Sequence, residues 1–144
     1  MEKIAFVVDD DMIYQQFMKE HMKNLGYRVL SFFSGQACIA QLHQNPDLII
    51  LDHQLDENEN GLDVLQKIKQ VKPRIPVIYL SAQDDMATAV QALHFGSFDY
   101  IEKNSAAYVR LRTTVDKIEA WRKNSFLTKL RTFFFNLYQI PKND

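Results

Sequence analysis

The chain alternates short apolar runs with longer segments whose apolar residues recur every three or four positions. The clearest run is Leu48-Ile49-Ile50-Leu51, introduced by Pro46-Asp47 and ended by Asp52. It has the form of a strand buried on both faces that delivers one carboxylate to the edge of a sheet. Ala5 to Val8 before Asp9-Asp10-Asp11, Val77 to Leu80 before Ser81, and Phe98 to Ile101 before Glu102-Lys103 repeat that form, and Tyr27 to Phe32 adds a further strand. Tyr14, Met18, Met22 and Leu25 draw one stripe on a helix that the acids 9–11 open and Gly26 ends. Ser34 opens a second helix carrying Ala37, Cys38, Ile39 and Leu42 as far as Pro46. The acidic stretch Asp56-Glu57-Asn58-Glu59-Asn60-Gly61 reads as a solvated loop. Leu62, Leu65 and Ile68 then line the inner side of a third helix, which Pro73 and Pro76 stop. Asp84 or Asp85 opens a fourth helix through Ala89, Val90 and Leu93 to Gly96. A fifth spans about residues 105–123, with Tyr108, Leu111, Val115 and Ile118 on one face.

Strands alternating with helices predict right-handed crossovers and an α/β, doubly wound, five-stranded parallel sheet of flavodoxin-like order 2-1-3-4-5. Ligands of such sheets bind beyond the carboxyl ends of the strands, at the switch point between the first and third. Asp9, Asp10 and Asp52 end those two strands, and Ser81 and Lys103 end the neighbouring ones. Carboxylates within roughly 5 Å of one another repel by about 3 kcal/mol per pair at an effective dielectric of about 20. A divalent cation offsets that repulsion, and Mg²⁺ suits a site of one or two carboxylates plus phosphate oxygens. Lys103 adds a point positive charge. His21, His43, His53 and His94 show no ligand spacing and read as surface or packing residues. The set suits phosphoryl transfer, with Asp52 attacking phosphorus to give an acyl phosphate.

Length and charge leave this picture intact. The 144 residues, 47% of them hydrophobic, make about one domain with material for a proper core, and a net charge of −1 gives no global pull toward nucleic acid. Cys38 is the one cysteine, and no charged-then-apolar leader opens the chain, so the expectation is a reduced, cytoplasmic protein with Cys38 as a small core residue. No apolar run approaches the roughly 20 residues of a membrane-spanning helix.

These residues together resemble the receiver domain of two-component response regulators over about residues 3–122. The resemblance rests on the acid pair after strand one, Asp52 after strand three, Ser81-Ala82 after strand four, and Asp99-Tyr100-Ile101-Glu102-Lys103 at strand five. It implies that Asp52 accepts a phosphoryl group from a sensor histidine kinase or histidine phosphotransfer protein. It further implies that Asp9, Asp10 and Asp52 hold Mg²⁺ with the main-chain carbonyl of Gln54, and that Lys103 and the Ser81-Ala82 pair contact the phosphoryl group. Tyr100 would turn inward behind Ser81, and Gln54 and Gln83 would flank the hydrolytic water and set the acyl-phosphate lifetime. The protein would then be a phosphoacceptor signalling domain rather than a turnover enzyme, with no catalytic residues beyond these. It would pass its signal to a downstream effector, or to a second copy docked through the fourth helix, fifth strand and fifth helix.

Three positions depart from the family pattern. Asp56 stands where the family usually has proline, and Gly61 comes one residue late, so the loop is longer and more acidic. Asn104 stands where a proline with a cis bond usually follows the lysine, which predicts a trans turn and a Lys103 less firmly aimed. The acids 9–11 also resemble the D-x-D opening of haloacid-dehalogenase-like phosphatases, in which Asp9 would be the nucleophile. That alternative lacks a late acid pair and a cap insertion, and it leaves Asp52 unexplained.

Residues 1–123 thus read as the receiver unit and 124–144 as an amphipathic helical extension. Phe126, Leu130, Phe133, Phe134 and Leu137 recur at helical spacing but out of phase with the preceding stripe, predicting a break near Asn124-Ser125 or a stutter in one helix. The plain expectation is a helix packed on its own domain. The sharper one is an aromatic face that forms a dimer or docks a partner, with interfacial membrane contact third.

Overall fold

A computed structural model describes residues 2–137 apart from Glu57, Gln83 and Asp84; within its last helix the side chains of Phe134, Phe135 and Leu137 are not described. The strands are β1 (Lys3–Val8), β2 (Tyr27–Phe32), β3 (Leu48–Asp52), two short ones, β4 (Gln54–Asp56) and β5 (Glu59–Asn60), then β6 (Val77–Ser81) and β7 (Asp99–Glu102). Five of them form one parallel sheet in the order β2-β1-β3-β6-β7, the doubly wound order expected from the alternation. The register sets Val8 beside Leu51, Asp52 beside Leu80, and Ser81 beside Glu102, so the chemically distinctive residues share one edge.

Period-two alternation on the strands divides the core in two. Ala5, Val7, Leu48, Ile50, Ile78 and Leu80 face helices α1 (Met12–Asn24) and α5 (Ala107–Leu137). Phe6, Val8, Ile49, Leu51, Val77 and Tyr79 face α2 (Gly35–Ala40), α3 (Gly61–Val71) and α4 (Met86–His94). Leu48 to Leu51 are wholly buried. At about 1.5–3 kcal/mol per such side chain, that one strand contributes roughly 6–12 kcal/mol of burial, against which the entropy of ordering the chain is set.

Helix ends follow from local chemistry. The Asp11 carboxylate accepts from the amides of Ile13 and Tyr14 at 2.9 and 3.3 Å, and Gly26, at φ 92°, takes the left-handed turn after α1. Asp85, not Asp84, is the N-cap of α4, accepting from Ala87 N and from the Thr88 hydroxyl.

Four expectations change. The second helix stops at Ala40 and continues as a 3₁₀ turn over Leu42–Gln44, and Ala37 faces solvent. Asn45 in the left-handed region ends that turn before Pro46. The acidic stretch forms the antiparallel pair β4–β5 rather than a plain loop, because Glu59 turns back and accepts from the amides of Gly35 and Gln36 at 2.6 and 3.2 Å. Glu59 therefore caps the amino end of α2 and takes no part in the acidic site, and Glu57 lies outside the described residues. On α4 the buried residues are Thr88 and Ala92, whereas Val90 and Leu93 are exposed.

The fourth change concerns α5, which runs unbroken for 31 residues through Asn124-Ser125, the stutter rather than the break. Leu111, Val115 and Ile118 bury against the sheet. Below them Tyr27 donates to Glu119, Arg122 donates to the Asp47 carbonyl, and Lys3 lies 3.5 Å from Glu119, tying α5 to the amino ends of the strands. Past that clamp Phe126, Leu127, Leu130 and Phe133 are exposed, so these four side chains do not pack on the domain as the plain expectation had it. Among the described residues no helix is long and apolar enough to cross a membrane.

Candidate functional site: an acidic crevice at the carboxyl edge of the sheet

A crevice of about 380 Å³ opens where β1, β3, β6 and β7 end. Asp9, Asp10, Asp52, Gln54, Ser81, Ala82 and Lys103 line it, together with Asp11, His53 and Leu55. Parallel strands in register bring these residues together from positions 94 apart in sequence.

Asp9 is 2% and Asp52 6% exposed. Lys103 lies between them, its Nζ 2.9 Å from Asp9 Oδ2 and 3.1 Å from Asp52 Oδ1. Burial pushes the Asp52 carboxyl up to about 6, a rise that the Lys103 charge reduces and the Asp9 charge increases. An N–H from Gln54 also favours the ionised form of Asp52. Asp10 is exposed, yet burial of its carboxyl and the neighbouring Asp9 raise it as well. The loop that carries Asp9 is stapled by buried Gln15, whose Nε2 lies within 3.0 Å of the carbonyls of Val7, Asp9 and Phe32.

Lys103 is held firmly despite Asn104, contrary to the expectation from that departure. The described peptide bonds are all trans, and the Lys103 amide donates to Ser81 O at 2.7 Å. Its ammonium meets two carboxylates and sits 4.0 Å from the centroid of the Tyr14 ring. Tyr14 is a contributor that the helical stripe disguised as core. Its position three residues after Asp11, in the first turn of a helix starting at the sheet edge, was the available signal.

Two more residues join the site from unexpected directions. Tyr79, wholly buried on β6, places its hydroxyl 2.5 Å from His53 Nδ1, and its ring stacks on Tyr100 with centroids 6.0 Å apart. His53 thus links the residue after Asp52 to the aromatic at strand β7. Gly61 is obligatory here, because a Cβ would come within 2.5 Å of the Asp52 carbonyl and 2.7 Å of the Tyr79 hydroxyl. Gln83 lies outside the described residues.

The donor set fits a hard cation. Asp9, Asp10 and Asp52 each offer a carboxylate oxygen within 4.8 Å of the others, with two buried and one open to solvent. An all-oxygen cluster with an exposed member matches Mg²⁺, which keeps several of its waters.

The response regulator receiver domain family model matches residues 5–116, more than three quarters of the chain. The chain belongs to the response regulator receiver domain family. Receiver domains are signalling phosphoacceptor domains that bind Mg²⁺ in an acidic pocket, and the match gives the phosphatase alternative no support. The receiver sequence is 33% identical over 112 residues to the transcriptional regulatory protein ZraR of Salmonella typhimurium, covering 77% of this chain and 25% of that protein. It is 34% identical over 111 residues to the luminescence regulatory protein LuxO of Vibrio campbellii, covering 76% and 24%. To CrdR of Helicobacter pylori it is 33% identical over 105 residues, covering 72% and 49%. The chain thus spans a quarter to a half of the length of these relatives. Among solved structures it resembles the signal receiver domain of a Luxo repressor protein from Vibrio parahaemolyticus, with TM-score 0.79 and 27% identity over 89% of this chain and 98% of that one. The receiver domain of NtrX from Brucella abortus gives TM-score 0.73 and 28% identity over 79% and 96%.

Proposed function

We propose that Asp52 is the phosphoacceptor and that it takes its phosphoryl group from a phosphohistidine on a sensor kinase or a histidine phosphotransfer protein. The observation that carries this reading is the setting of Asp52: buried, at the end of the central strand, beside Lys103, and facing an open crevice. A carboxylate oxygen of Asp52 forms the bond to phosphorus as the P–N bond to imidazole breaks. The electron pair of that bond returns to the ring nitrogen. Asp9, Asp10, Asp52 and the main-chain carbonyl of Gln54 would hold Mg²⁺, which when bound neutralises charge on the phosphoryl oxygens. Lys103, the Ser81 hydroxyl and the Ala82 amide then meet the new phosphoryl group.

Phosphorylation adds up to about two negative charges and three acceptor oxygens next to Lys103. Ser81 and Lys103 gain contacts that exist only in the modified state, and so bias β6, β7 and Tyr100 toward a second arrangement. Gln54 and Gln83 would set how long the acyl phosphate survives. Met86, Val90 and Leu93 on α4 and Val109 on α5 present an exposed apolar face suited to an effector or a second copy. In this reading residues 1–123 are the phosphoacceptor unit, and 124–144, from which Phe126 and Leu127 project into solvent, extend it toward a partner.

Borohydride reduction after incubation with a small acyl-phosphate donor and Mg²⁺ tests the assignment. Label is expected on Asp52 and none in Asp52→Asn. Label on Asp9 would overturn it.

A further inference from the structure

A second cleft, of about 600 Å³, lies at the opposite end of the sheet, where the turns entering β6 and β7 meet α5. Its volume is that of a small-molecule site. Among the described residues the charge of its lining has one sign: Lys69, Arg74 and Lys129 contribute to it and no carboxylate does. Arg74 and Lys129 are exposed, and neither belongs to an ion pair among the described residues. The Lys69 ammonium is drawn into the wall by the carbonyls of Ile75 and Pro73, at 2.6 and 3.4 Å, and adds positive potential from behind.

Two further features separate this cleft from an ordinary basic patch. Ser97, 8% exposed, belongs to its wall, and its buried hydroxyl oxygen has no hydrogen-bond partner among the described residues, a group that costs free energy unless something pairs with it. Trp121 and Phe98 also line it with partly exposed rings, offering flat apolar surface beside the cations. Guanidinium groups bind phosphate in bidentate fashion, and aromatic faces stack on nucleobases with little regard to sequence.

We propose that this cleft binds a nucleotide, with its phosphate against Arg74 and Lys129, its base on Trp121, and a polar atom meeting Ser97. The site is separate from the acidic crevice and lies against the part of α5 that leads into the extension, so an occupant would report on the same helix that the phosphorylation face uses.

Trp121 is the one tryptophan in the chain, so its emission reports binding directly. Titrations of the full chain in EDTA with GMP, GTP, ATP and inorganic phosphate, read by emission and by calorimetry, test the proposal. Saturable binding of at least one nucleotide with altered Trp121 emission is expected, weakened about tenfold or more in an Arg74→Glu, Lys129→Glu variant of unchanged circular dichroism and about threefold in Ser97→Ala. Unchanged nucleotide affinity in Asp52→Asn is expected too, and its loss there would move the binding to the crevice and overturn the proposal. The proposal also fails if no nucleotide saturates by about 1 mM, if inorganic phosphate binds as tightly as the nucleotides, or if polyglutamate displaces them more tightly than they bind.

Discussion

Asp9 and Asp52 are 2% and 6% exposed, whereas Phe126 and Leu127 on the extension are 61% and 49% exposed. Charged residues lie inside and aromatic and aliphatic ones outside, so both regions invert the usual partition. They differ in what balances the inversion. In the crevice the cost of burying acids is met within the chain by Lys103 and by the amides of Asp11 and Gln54. On the extension nothing among the described residues covers Phe126 or Leu127. The crevice therefore offsets its buried charge with neighbouring groups, whereas the extension leaves Phe126 and Leu127 uncovered among the described residues.

That contrast can be broken at α5 itself. Ile118→Ala, on the buried half, is expected to cost about 2–5 kcal/mol in denaturant unfolding, and Phe126→Ala, on the exposed half, less than about 0.5 kcal/mol. Equal losses would show that the extension packs in solution after all. A smaller effect comes from Asp52. Its carboxyl titrates near 6 when folded and near 4 when unfolded, so between those values the folded state holds the extra proton and stability falls as pH rises. In metal-free protein Asp52→Asn is then expected to be more stable than wild type at pH 8, by up to about 3 kcal/mol, with the advantage vanishing near pH 4. A pH-independent difference would mean that Lys103 fully offsets burial. The smallest effect is at the hairpin: Glu59→Ala, removing the cap on α2, should lower stability by about 1 kcal/mol in the same assay.

The sheet order and the residues gathered in the crevice were legible because each rests on a local rule that tertiary context reinforces. An all-apolar run such as Leu48 to Leu51 has no solvated face to offer, and an acid at its end can lie only at the sheet edge. Residues serving two masters were harder to read. Tyr14 fits a core stripe and also covers the Lys103 ammonium. Glu59 looks like one more loop acid until the fold brings the amino end of α2 beside it, a contact across 24 positions that no local pattern announces. Val90 and Leu93 keep helical spacing, but the buried side of α4 is set by the smaller Thr88 and Ala92.

The unbroken passage of α5 from the sheet into the extension has a mechanical consequence. The helix is gripped at Ile118, Glu119 and Arg122 and ungripped beyond. At about 1.5 Å per residue its free arm from Arg122 to Leu137 is roughly 22 Å long. A tilt of about 5° at the grip would swing the far end by about 2 Å, enough to engage or release a neighbouring helix packed at contact distance. Small rearrangements at the sheet would thus be read out as lever motion at the tip, with no hinge between them to absorb it.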